Sequence, residues 1–123
     1  MIAFKYRFHG HGSLRYVYKN GQAIRTHLAT LKYTNNPHRK HPRFAVVVSK
    51  KVLKSAVGRN RIRRRVYEAL RQHITPEFPS YDIVCIVSSS EILTQTPTEL
   101  TALIGELLTQ ATNYTPGVKS DII

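Results

Sequence analysis

Eight of the sixteen residues from Lys50 to Arg65 are lysine or arginine, and none is acidic. Lys50, Lys51 and Lys54 come first, followed by Arg59, Asn60, Arg61, Arg63, Arg64 and Arg65. Guanidinium forks match the oxygens of a phosphate, and backbone amides at the start of a helix add further donors. Arginines spread around much of one helix circumference can neutralise phosphates from more than one strand. That suits a folded RNA better than a single groove of DNA. Like charges one turn apart destabilise a helix by about 0.2–0.5 kcal/mol per pair, a cost that an anionic partner offsets. A face that is merely solvated usually mixes both signs.

Other reactive side chains are sparse. A two-metal hydrolytic site needs several converging carboxylates. The first 75 residues contain only Glu68, and Asp82 stands alone at the start of an apolar run. His9, His11, His38 and His41 have the side-chain type for acid–base work or metal binding, but no carboxylate or cysteine stands beside them. No catalytic residue and no protein-held metal are therefore expected. Cys85 is the only cysteine, which rules out an internal disulfide, and its apolar neighbours predict a buried structural thiol.

The basic cluster must be positioned by its flanks. Arg43-Phe44-Ala45-Val46-Val47-Val48-Ser49 reads as a strand whose β-branched run predicts burial on both faces. A helix is expected from Ser55 to about His73, with Ile62, Val66, Ala69, Leu70 and His73 on its inner arc. A first helix is expected over 13–21, with Ser13 as N-cap and Gly21 stopping it through a left-handed turn. Residues 22–34 read as one short and one longer strand, 35–42 as a polar loop, and 81–87 as another buried strand. Thr96-Pro97-Thr98-Glu99 is a capping box, and Leu100, Leu103, Ile104, Leu107, Leu108 and Ala111 then recur at helical spacing. The tail is expected to fray from Asn113. The element order is α-β-β-β-α-β-α, an α+β two-layer sandwich forming one RNA-binding domain over residues 1–123.

The charge is divided along the chain. The net +12 arises from +17 over residues 1–75 and −5 over residues 76–123. A polyanion should meet the first 75 residues. No apolar run reaches about 18 residues, and the first fifteen residues lack a signal-peptide core, so no membrane partner and a cytoplasmic location are expected.

The run Ser49-Lys50-Lys51, a spacer, then Arg59-Asn60-Arg61-Ile62-Arg63-Arg64 resembles the signature of the bacterial ribonuclease P protein component. Arg63 replaces a usual lysine, and Tyr67 stands where many members carry arginine. Arg7-Phe8, Leu14, Val17, Tyr18, Lys19 and Gly21 resemble the family's opening segment, and the likeness runs over residues 7–112. The resemblance implies a left-handed β-α-β crossover around the basic helix. It also implies a subunit of an endoribonuclease that matures the 5′ ends of tRNA, with the chemistry carried by a catalytic RNA holding most of the Mg²⁺. Lys50, Lys51, Lys54, Arg59, Asn60, Arg61, Arg63, Arg64 and Arg65 would meet that RNA. Phe8, Leu14, Tyr18 and Tyr33 would line a cleft for the single-stranded leader of precursor tRNA, with either Lys32 or Tyr33 in the place of the family's cleft tyrosine. Leu14 replaces a typical phenylalanine, and core packing remains an alternative for these aromatics. No small-molecule substrate is implied. A ribosomal protein or assembly factor binding structured ribosomal RNA is the alternative reading.

Overall fold

The computed structural model describes residues 4–8 and 11–114. Its elements are helix α1 (His11–Asn20), strands β1 (Gln22–Arg25), β2 (Ala29–Asn35) and β3 (Arg43–Val48), helix α2 (Ala56–Arg71), strand β4 (Tyr81–Val87) and helix α3 (Pro97–Thr112). Short 3-10 turns at Phe4–Tyr6 and Ser90–Thr94 complete them. The α+β order is the expected one.

The four strands form one sheet in the order β1-β2-β4-β3. β1 and β2 are antiparallel, as are β2 and β4, whereas β3 runs parallel to β4. A parallel pair needs a crossover, and α2 supplies it. The pairing register sorts side chains onto two faces. Leu31 lies opposite Cys85, which lies opposite Val46; Ala29, Val87 and Val48 form the next row. These residues join Ile62, Val66 and Leu70 of α2 and Ile104, Leu107 and Leu108 of α3 in the core. Cys85 is fully buried there, and desolvation pushes its thiol up to about 12. The other face is covered in part by α1, whose Val17 is buried, as is Val84 beneath it. Ala45 and Val47 on that face are only half-buried, so β3 is not enclosed on both sides as its composition suggested.

Local chemistry explains the ends of the helices. Ser55 caps α2 by accepting from the Gly58 amide. The capping box of α3 is complete: the Glu99 amide donates to Thr96 Oγ1 at 3.1 Å, and the Thr96 amide donates to Glu99 Oε1 at 2.8 Å. Asn113 closes α3 at φ 59°, and Tyr114 packs edge-on against Phe78 and shares a hydrogen bond with Thr75. Two residues of the expected tail thus belong to the fold; residues 115–123 lie outside the described residues.

Helix α1 departs from expectation at both ends. It begins at His11, so Ser13 lies inside the first turn instead of capping it. Gly21 does not adopt a left-handed φ. It is required by crowding: a Cβ there would stand 2.5 Å from the Val17 carbonyl oxygen and 3.0 Å from that of Tyr33. The helix stops because the chain turns tightly against β2.

Candidate nucleic-acid interface

The basic cluster occupies the turn after β3 and the first two-thirds of α2. The turn is built by its own backbone. Ser49 O accepts from the amides of Val52 and Leu53, and Leu53 folds back so closely that a Cβ on Gly58 would lie 2.4 Å from its Cδ2. Arg59 ties the turn to the helix by donating to Leu53 O at 3.0 Å and to Lys54 O at 2.6 Å. This framework leaves Lys50, Lys51 and Lys54 exposed beside exposed Asn60, Arg61 and Arg64.

The predicted nine residues separate into two groups. Lys50, Lys51, Lys54, Asn60, Arg61 and Arg64 are exposed. Arg59, Arg63 and Arg65 are half-buried and have partners within the chain. Arg63 donates to Asn60. Arg65 turns away from the cluster, donating to Leu93 O at 2.7 Å and also to Gln95 O, the carbonyls that end the Ser90–Thr94 turn. Its charge thus anchors the segment leading into α3. Arg65→Ala should lower stability by about 1–3 kcal/mol in urea denaturation, since two half-buried carbonyls lose a charged donor. It should leave the salt dependence of RNA affinity unchanged; a flattened slope would assign Arg65 to the interface instead.

Glu68 does not cancel the cluster. Arg71 and Gln72 both hydrogen-bond its carboxylate, and the Arg71 guanidinium holds it below the usual carboxylate range. The acid is consumed at the far end of α2. Tyr67, where family resemblance led to an arginine, is buried and performs a structural task. Its hydroxyl accepts from the Val46 amide at 3.3 Å, satisfying a donor on edge strand β3, and burial raises its phenol.

The predicted cleft is partly assembled. Leu14 and Tyr18 lie half-buried on one flank of α1. Lys32 reaches up from β2, donating to Tyr18 O at 3.0 Å with its ammonium 5.5 Å from the Tyr18 ring centre. Burial raises the Tyr18 phenol. Phe8 stacks under Arg43, whose Cζ is 4.8 Å from the ring centre. Tyr33 does not join them. It follows Lys32 in β2, so it points through the opposite face. There it pairs with Tyr81 at 6.4 Å and donates to Gln22. The cleft residue from β2 is therefore Lys32, and Tyr33 is removed from the cleft by strand alternation.

The sequence reading missed a buried ion pair on the α1 side of the sheet. Arg43 and Asp82 are each 4% exposed, adjacent in the parallel register, and joined by two hydrogen bonds of 2.9 and 2.7 Å. Asn36 donates to the same carboxylate at 2.9 Å. Both carboxylate oxygens are committed. Among the described residues no group of three or more His, Cys, Asp or Glu side chains could hold a metal. His9 lies outside the described residues.

The family model for ribonuclease P matches residues 3–112. The chain belongs to the ribonuclease P protein family. A ribonuclease P protein component from Blochmanniella floridana is 32% identical over 99 residues, covering 80% of this chain and 81% of that relative. One from Carboxydothermus hydrogenoformans is 42% identical over 73 residues, covering 58% of this chain. That alignment spans 62% of the relative's length. The Staphylococcus aureus RNase P protein structure superposes with a TM-score of 0.73 at 25% identity, covering 86% of this chain and 94% of that one. The ribonuclease P protein fold is thus shared across nearly the whole described chain. No helix among the described residues is long and apolar enough to cross a membrane.

Proposed function

We propose that this ribonuclease P protein holds the catalytic RNA of the enzyme through the exposed cations of the turn after β3 and of α2. The cleft between α1 and the sheet would receive the single-stranded 5′ leader of precursor tRNA. The observation that carries the reading is the set of exposed cations Lys50, Lys51, Lys54, Arg61 and Arg64, while Glu68, the one acid of α2, is already engaged by Arg71. Tyr18 and Lys32 supply the two elements that single strands need, an aromatic surface and a cation. Thr30, Ala45, Val47 and Ile86 leave a half-open floor next to them.

Mg²⁺ held mainly by the RNA would activate the water that hydrolyses the phosphodiester. The carboxylates of Glu68 and Asp82 are both taken by arginines, which fits ions held mainly by the RNA. The protein's contribution is to neutralise phosphates and to align the leader, in the cytoplasm, as part of an endoribonuclease that matures tRNA. Binding to ribosomal RNA instead has no observation of its own in favour.

The leader assignment is checked by comparing precursor tRNA with leaderless tRNA on the reconstituted holoenzyme. The leader should tighten binding by at least about fivefold, and Tyr18→Ala should remove much of that gain, since one base stacked on an aromatic contributes about 1–3 kcal/mol. Equal affinity for both substrates would remove the leader from the cleft.

A further inference from the structure

A second cationic site lies on the other flank of α1. At 100° per residue, Ser13 and Tyr16 fall on one side of the buried Val17, and Leu14 and Tyr18 fall on the other. The Ser13–Tyr16 flank borders a cleft of about 670 Å³ that also takes in Lys5, His38, Arg39, Lys40 and His41. It therefore lies across α1 from Leu14 and Tyr18 and includes none of the α2 cations, while Phe8, stacked on its lining residue Arg43, stands beside it.

The loop carrying these cations is held in place. The Asn36 amide donates to Ser80 O at 2.8 Å, and the Arg39 amide donates back to Asn36 O at 3.1 Å. The Asn36 side chain is fixed on Asp82, Pro42 is buried, and the His41 ring packs edge-on against Tyr6 at 5.7 Å. The carboxylate at the floor of the cleft is neutralised by Arg43. Arg39 and Lys40 are exposed, and their side chains hydrogen-bond to none of the described residues. The charge of the cleft is thus strongly positive and unbalanced. At its rim stands Tyr16, 58% exposed, one of only two large hydrophobic side chains so exposed among the described residues.

We propose that this cleft is a further RNA site, seating phosphodiester groups of an unpaired strand on Arg39 and Lys40 while a base stacks on Tyr16. Exposed cations on an anchored loop, with an exposed aromatic at their edge, are the combination that single-stranded nucleic acid recognises. The inference rests on the proposal that the protein binds RNA. The strand would come either from the catalytic RNA or from the precursor.

The test uses the full chain with two ligands: the catalytic RNA alone, and precursor tRNA added to the reconstituted holoenzyme. Arg39→Ala/Lys40→Ala should flatten the slope of log affinity against log salt by about 1.4 for one of the two ligands, at about 0.7 per lost single-strand phosphate contact. Tyr16→Ala should weaken binding of the same ligand by at least about fivefold with the slope unchanged. The ligand affected identifies the source of the strand. Unaltered thermal melting of the variants shows that the fold is intact, as expected for exposed side chains. Unchanged affinity and slope for both ligands, with Arg61→Ala/Arg64→Ala still weakening binding, would overturn this site alone. If the Arg61→Ala/Arg64→Ala variant also binds normally, the RNA-binding proposal itself fails.

Discussion

Replacing Arg61 and Arg64 together with alanine should flatten the salt dependence of catalytic-RNA affinity by about 1.4–1.8 units of log–log slope. Each phosphate neutralised contributes about 0.7 for a single strand and 0.9 for a duplex. If affinity at 1 M salt is unaffected, that slope corresponds to a loss of about 25- to 60-fold at 0.1 M. Both side chains are exposed, so the loss should come without destabilisation. Both flank Ile62, which is fully buried and fixes the helix against the sheet, so their positions are set by the core rather than by a loop. The paired lysine variant, Arg61→Lys/Arg64→Lys, should retain the slope, because the charge persists, while losing some affinity through loss of the planar fork. Filter binding across a salt series reads both quantities. An unchanged slope in the alanine variant would mean that the face is merely solvated.

Asp82→Ala should destabilise the fold by about 3–5 kcal/mol, because it strands the Arg43 guanidinium in a site where it is 4% exposed. The loss should exceed that of a small core truncation, since Asn36 also loses its acceptor and the 36–42 loop its anchor. The double replacement Arg43→Met/Asp82→Leu should recover most of the stability, because removing both charges abolishes the desolvation cost along with the attraction. Urea denaturation midpoints for the three proteins decide the matter. A loss below about 1 kcal/mol in Asp82→Ala would show that water reaches Arg43 and that the pair is not buried in solution.

The features legible in the sequence were those encoded within a few residues. The Thr96–Glu99 capping box, the helical spacing from Leu100 to Ala111 and the cation run from Lys50 all need only local reading, and each is where it was expected. The features that were not legible depend on partners far along the chain. Arg43 and Asp82 are 39 residues apart and meet only through the parallel β3–β4 register. Arg65 stands on the basic circumference of α2 by spacing, but the Ser90–Thr94 turn, which has no periodic signature, brings two carbonyls to it. Tyr33 was misassigned to the cleft for a different reason. Strand side chains alternate, so an ambiguity of one residue between Lys32 and Tyr33 moves a side chain to the opposite face of the sheet. Gly21 was correctly read as the end of α1, but the cause is close approach of β2 rather than a left-handed turn.

Under the proposed function, this chain serves ribonuclease P by binding RNA, with no catalytic side chain of its own. The direct measurement is cleavage of precursor tRNA by a bacterial ribonuclease P RNA at limiting Mg²⁺, with and without the purified protein. The protein should stimulate cleavage at the 5′ end of the mature tRNA, the Arg61→Ala/Arg64→Ala variant should stimulate less, and protein alone should leave the precursor intact. Absence of stimulation, or cleavage by the protein without the RNA, would contradict it.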